Sequence, residues 1–246
     1  QQYETLIQET ISFINQHLFE EKRLLARYRE GKSHYPGYLD DYAFYVYGLI
    51  ESYQSTFNPD YLKQAIGLTQ EMIRLFKDCE AGGYYLYGSD AEHLMIRPKE
   101  TYDGAMPSGN SVAAYNLIRL ARLTGDATLE KEAMEQLNFM AAHATHYEIS
   151  HAFYLIAAQF ALESSKELIA IVTNDNEIED FKTFLSLSPL FNLTVILKTP
   201  ENENKLSDLI PFLTDYPLSK DPSFYVCEGG SCHAPVHTLG DLKQFI

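Results

Sequence analysis

The chain has 246 residues, 46% hydrophobic and 22% charged, as expected of a globular protein with one large domain or a large one plus a small one. Its 34 acidic and 19 basic residues give a formal net charge of −15, which excludes the basic footprint that nucleic acid or an anionic membrane requires. No apolar run reaches the length of a bilayer span and no signal-peptide pattern opens the chain, and three cysteines point to a reducing compartment without a disulfide framework, so a cytoplasmic location is expected.

The chain opens on Gln1-Gln2 inside a helical pattern, from which a piece of a longer protein is expected. Apolar periodicity predicts helices over residues 3–17, 39–56, 60–77, 110–123, 127–142 and 150–162. The first long loop, 19–38, ends in Tyr35-Pro36-Gly37-Tyr38 and leads into Leu39-Asp40-Asp41-Tyr42. Paired aspartates at a helix start suit general acid–base chemistry, and they are equally favoured there by capping and by the helix dipole. Asn58-Pro59-Asp60 turns the chain into the third helix, with Asp60 as its expected N-cap.

The excursion 78–109 follows. Gly83-Tyr84-Tyr85-Leu86-Tyr87 and His93-Leu94-Met95-Ile96 read as two strands around Gly88-Ser89-Asp90, a β-hairpin. Tyr85 and Arg97 are candidate ligand-binding residues in it. Asp103-Gly104-Ala105-Met106-Pro107-Ser108-Gly109-Asn110 then enters the fourth helix, which Ser108 or Asn110 can cap. Such a helix start either holds a polar ligand oxygen or is simply capped. Gly125 stops this helix and Asp126 caps the next.

The third long loop, 143–149, is flanked by His143, His146 and His151 with Glu148 between them. Their irregular spacing argues against a metal site and leaves a proton shuttle or a capping role; no cofactor is expected. In an up-and-down helical array alternate connections fall on opposite ends, so all three long loops share one rim. The 18 tyrosines and absence of tryptophan suit either a wet concave surface or ordinary core edges. On that rim Asp40, Asp41 and Asp103 are the catalytic candidates, and Tyr35, Tyr42, Tyr85, Arg97, Ser108, Asn110 and His151 the ligand-binding ones.

After residue 162 the pattern changes. Apolar runs at 168–173, 193–197 and 223–227, separated by helices near 178–187 and 202–213, predict a parallel βαβαβ unit. Thr173-Asn174-Asp175-Asn176 stands where a dinucleotide site would place glycines. The last strand runs into Cys227-Glu228-Gly229-Gly230-Ser231-Cys232-His233, which reads as a structural turn, a reversible disulfide or a zinc site completed by His233 and His237. The expected organisation is a helical-hairpin domain over residues 1–163 and a small α/β subdomain over 164–246.

Tyr38-Leu39-Asp40-Asp41-Tyr42-Ala43, Asp103-Gly104 with Pro107-Ser108-Gly109-Asn110-Ser111, and Tyr225-Val226-Cys227 with Cys232 and Pro235, in that order, resemble the YyaL-type thioredoxin-domain proteins, relatives of the spermatogenesis-associated thioredoxin-like proteins of animals. In that family a thioredoxin-like domain precedes a six-hairpin (α/α) toroid similar to glycosidases and N-acylglucosamine 2-epimerases. The resemblance implies a mainly α chain, part of an (α/α) toroid with the small βαβαβ subdomain, whose open edge the missing N-terminal part of the same protein covers. It also implies a carbohydrate-active or carbohydrate-binding role toward a sugar-like molecule, with a non-catalytic module supporting a redox partner domain as the alternative. The family pattern matches at Asp40, Asp41, Asp103, Ser108 and Asn110.

Overall fold

The computed structural model describes residues 2–92, 95–163, 166–188, 192–229 and 231–246. The chain is mainly helical. Helix α1 spans Gln2–His17, α2 Leu39–Thr56, α3 Pro59–Phe76, α4 Gly109–Thr124, α5 Ala127–Ala144 and α6 Ala152–Leu162, the last preceded by a 3-10 turn at Glu148–His151. Each start has a local cause. Asn58, not Asp60, is the N-cap of α3: its side chain accepts the Asp60 amide at 3.0 Å, and Pro59 occupies the first helical position, where its missing N–H costs nothing. Ser108 caps α4, and Asp126 caps α5 by accepting from Thr128 and Leu129. Gly125, at φ +68°, ends α4 in the left-handed conformation that glycine tolerates.

Helices α2, α4 and α6 lie side by side, α3 packs along α2, and α5 along α4. The short α2–α3 and α4–α5 links put the long connections at the other end.

Two of those connections differ from expectation. Residues 19–38 hold a three-stranded antiparallel sheet of β1 Phe19–Glu20, β2 Arg23–Arg29 and β3 Lys32–Pro36. Glu30 and Gly31, at φ +53° and +76°, form the tight turn that matches strand twist. The strands are too charged to show a clean apolar alternation. Conversely, the described residues of the expected hairpin at 83–96 form no strand: Tyr84 makes an isolated bridge to Lys77, and Met95 and Ile96 lie in none. His93 and Leu94 lie outside the described residues. The cause is competition for backbone partners. Tyr85 N–H donates to Phe76, Ser89 N–H to Leu75 and Leu86 N–H to Pro98, while the Leu86 carbonyl accepts from Leu39. The first half of the segment is bonded to α2, α3 and Pro98 rather than to a facing strand.

The C-terminal part comprises β4 Lys166–Ile171, α7 Asp175–Ser186, β5 Leu193–Lys198, α8 Glu203–Leu209, a 3-10 turn at Pro211–Asp215, β6 Ser223–Glu228, β7 Ser231–Cys232 and α9 Leu239–Leu242. Strands β4 and β5 pair in parallel, as a βαβ unit requires. The all-parallel expectation is corrected at the third strand: β6 runs antiparallel to β4, in the order β5-β4-β6-β7. After α8 and the 3-10 turn the chain re-enters the sheet from the end at which β5 left it, with Ser223 opposite Ile171.

Helices and sheet share one continuous core, in which Leu49, Tyr53 and Leu120 belong with Leu168, Ile196 and Phe224. Gln54 of α2 clips the exposed edge of β5: its amide donates to the Val195 carbonyl at 2.9 Å and accepts the Val195 N–H at 3.3 Å. Such pairing also blunts an edge strand against intermolecular pairing. Replacing Gln54→Ala is expected to cost about 1–2 kcal/mol in a single denaturant transition, and to raise hydrogen exchange at the Val195 amide above that at Val226.

Candidate functional site

The starts of α2, α4 and α6 meet at one end, and side chains from the long loops tie them together. Asp103 does most of this work. One of its oxygens accepts the Ser108 N–H at 2.8 Å, at the head of α4; the other accepts the Phe153 and Tyr154 N–H groups at 2.8 and 3.1 Å, at the head of α6. Its own N–H donates to the Ser150 carbonyl at 2.8 Å. Asp103 is thus a double helix cap, with both oxygens occupied.

Asp41 is the capping-box residue of α2 and accepts the Tyr38 N–H at 2.7 Å. Burial raises its carboxyl above the ordinary range, opposed by that amide and by the charge of Arg23.

Asp40 is placed differently. It lies in the first turn of α2, against Gly109, the first residue of α4. A Cβ at residue 109 would overlap the Asp40 carboxylate, so glycine is what lets the two helix starts approach this closely. Burial, then the charge of Glu100, raise the Asp40 carboxyl above the ordinary range, and the facing Gly109 amide opposes them. That amide does not complete a well-aligned hydrogen bond: Oδ1 is buried without a partner among the described residues. Asp40 is therefore the rim carboxylate with spare capacity, beside the exposed Glu100. No motif in the sequence marks Glu100; its place on a loop three residues before Asp103 was the available signal.

The other candidates divide clearly. Asn110, fully buried, bonds Tyr84 N–H, Tyr84 O and Glu100 O, and takes the Gln136 amide on its Oδ1. It staples the excursion to α4 and α5, and its polar atoms are spent. Ser108 caps α4 through the Ser111 amide. Tyr42 is buried, its ring against Phe76 at 5.4 Å and its hydroxyl accepting the Leu24 N–H; it is a core residue. Tyr85 donates to Asp78 at 2.6 Å, beneath the Arg97 guanidinium at 4.0 Å from its ring. Tyr35 sits on β3 under Arg27, at φ +66°, with no contact to Asp40 or Asp103 among those found.

His151 is buried; Nδ1 lies 3.0 Å from the Tyr147 carbonyl, and Nε2 has no partner among the described residues. His143 leans on Phe139, and no group of three or more metal-ligating side chains occurs among the described residues. Cys227 and Cys232 are joined as a disulfide, one of the three arrangements the sequence leaves open, which removes them as zinc thiolates.

The rim is open. Exposed Tyr38, Tyr102 and Tyr147 flank it. A cavity of about 430 Å³ lies instead along the bodies of α2, α4 and α6, lined by Glu51, Tyr115, Arg119, Ile156 and Phe160, and Asp40 is not part of it.

Two outcomes follow. Asn110→Ala leaves three backbone groups, the Tyr84 N–H, the Tyr84 carbonyl and the Glu100 carbonyl, without their partner and is expected to cost about 2–5 kcal/mol, measured by urea unfolding. For Asp40 the sign is opposite. Its folded carboxyl holds the proton more tightly than the unfolded one, so its contribution is neutral in acid, destabilises increasingly as pH rises from the ordinary carboxyl range to the raised folded value, and is constant above it. Asp40→Asn is accordingly expected to melt above the parent at pH 7, with the gap closing toward pH 4, by calorimetry.

Among known proteins, no family model matches the chain. Spermatogenesis-associated protein 20 of Homo sapiens is 29% identical over 217 residues, which cover 85% of this chain and 27% of that protein. The Rattus norvegicus protein of the same name matches at 29% over the same shares, and an uncharacterized protein of Caenorhabditis elegans at 26% over 230 residues, 87% of this chain and 29% of its own. The chain thus spans between a quarter and a third of the length of these relatives, and the similarity supports a relation to the spermatogenesis-associated proteins.

Proposed function

We propose that this chain is part of a carbohydrate-active or carbohydrate-binding (α/α) toroid and that its ligand site is the rim at the starts of α2, α4 and α6. The observation that carries the reading is Asp40: a half-buried carboxyl with raised proton affinity and an unpartnered oxygen, beside a second carboxylate, Glu100. A carboxyl with raised proton affinity is suited to donate to a sugar oxygen, while a neighbouring carboxylate accepts from a hydroxyl or from water. The exposed Tyr38, Tyr102 and Tyr147 offer flat faces for stacking on a sugar ring. Asp103 and Asn110 hold this arrangement and take no part in the chemistry.

The row of α2, α4 and α6 backed by α3 and α5 supports the toroid reading. Its unpartnered side is aromatic: Tyr47, Tyr115 and Phe153 lie 5.8–6.1 Å apart, and α6, apolar around its whole circumference, exposes Leu155, Ile156 and Leu162. We assign that side to the remainder of a longer chain, carrying the thioredoxin-like domain that the motifs imply. The second reading, a non-catalytic recognition module, rests on the saturation of Asp103 and Asn110, which leaves Asp40 and the exposed Glu100 on an open rim rather than in an enclosed cleft.

Calorimetric titration with mono- and disaccharides separates the two, using this chain, the full-length parent and the Asp40→Asn/Glu100→Gln variant of each. Binding by the parent that weakens at least about tenfold in the variant, or 1.4 kcal/mol, supports the sugar site. Absence of binding at both lengths sinks it.

A further inference from the structure

We propose that the Cys227–Cys232 disulfide is a reversible thiol–disulfide exchange site for a dithiol, with Cys232 as the reacting sulfur. The inference is independent of the carbohydrate reading and rests on the edge of the C-terminal sheet. Cys227, on β6, is buried; Cys232, directly opposite it on the two-residue edge strand β7, is exposed. An incoming thiolate therefore meets Cys232 first, and the buried Cys227 is the sulfur that leaves.

Two further observations separate this disulfide from a structural staple. It spans a sequence separation of only 5, so it removes little chain entropy from the unfolded state. The segment it closes is also held without it: His233 N–H donates to Val226 O at 2.9 Å, and Phe224 and Val236 exchange both backbone bonds at 2.9 and 3.0 Å. Opening the disulfide leaves the two sulfurs facing one another across β6 and β7, ready to close again. The Tyr216 hydroxyl, 3.7 Å from the Cys232 sulfur, is positioned to donate to the thiolate that Cys232 becomes on reduction.

The exchange balances as follows. A thiolate of the partner attacks Cys232 Sγ; the Sγ–Sγ bond breaks, and Cys227 takes the electron pair and a proton. The second thiol of the partner, as thiolate, attacks its own sulfur in the mixed disulfide and releases Cys232 as thiolate. The partner is oxidised by two electrons to a disulfide and the Cys227–Cys232 pair is reduced. A dithiol is required because Cys227 stays in register and would expel a monothiol faster than a second one could arrive.

The test uses Cys79→Ser throughout, because Cys79 is a free, exposed thiol. The native chain is equilibrated in reduced and oxidised dithiothreitol mixtures, quenched by alkylation and weighed, with far-UV circular dichroism recorded at both extremes. A complete, reversible conversion with unchanged dichroism is expected. Cys227→Ser and Cys232→Ser variants are then treated with oxidised glutathione; the chain that retains Cys232 is expected to form the mixed disulfide at least about tenfold faster than the one that retains Cys227. Reduction that needs denaturant, loss of dichroism on reduction, or equal rates in the two variants overturns the proposal.

Discussion

Three helix starts converge at one end of this molecule, and each brings N–H groups that no helical carbonyl can satisfy. Their dipoles also place partial positive charge side by side. Both demands are met by carboxylates. Asp41 closes the first turn of α2, and Asp103 closes α4 and α6 together, so one side chain fixes the spacing of two helices. With Asn110 fastening the excursion to α4 and α5, the rim is a bonded frame in which little can shift. Asp40 stands out only against that background. It sits among the same helix ends and is not consumed by them, because Gly109 lets α4 come close enough to bury it without completing a hydrogen bond.

Much of this was legible in the sequence. The boundaries of α2 coincide with its apolar period, and the long loops were assigned to one rim from their alternation alone. The motif residues Asp40, Asp41, Asp103, Ser108 and Asn110 do gather there. Their roles were not legible, since an aspartate that caps and an aspartate that reacts look the same in a helix-start motif; only the partners of each oxygen distinguish them. Tyr42 shows the same limit. Its position in an Asp-Asp-Tyr run suggested the rim, whereas one residue along a helix is a rotation of about 100°, enough to send it into the core. The strands β2 and β3 leave no apolar period in the sequence because a small, mostly solvated sheet keeps charged residues on both faces.

The antiparallel β6 belongs to a different kind of failure. Apolar β-branched runs specify buried strands without specifying direction. Direction is set by the end of the sheet at which the connection returns, and the strand's own residues carry no mark of it. The consequence reaches the cysteines: because β6 enters from that end, its C-terminal residues lie beside the start of β4, with Glu228 opposite Lys166, and the turn that follows projects a two-residue edge strand carrying Cys232. A parallel β6 would have put that turn at the opposite end of the sheet.

The rim and the adjoining aromatic face bear on one another through solvent. Asp40 owes its proton affinity first to burial and second to Glu100, and both effects strengthen as water is displaced. Tyr47, Tyr115 and Phe153, with Arg119 paired to Glu51 over the Tyr115 ring, form a surface that side chains of the chain itself leave uncovered on one side. Under the proposed reading, a partner seated on this face would displace water beside the neighbouring helix starts, in the direction that raises the proton affinity of Asp40 further, so that covering the aromatic face and tuning the rim carboxyl would be coupled.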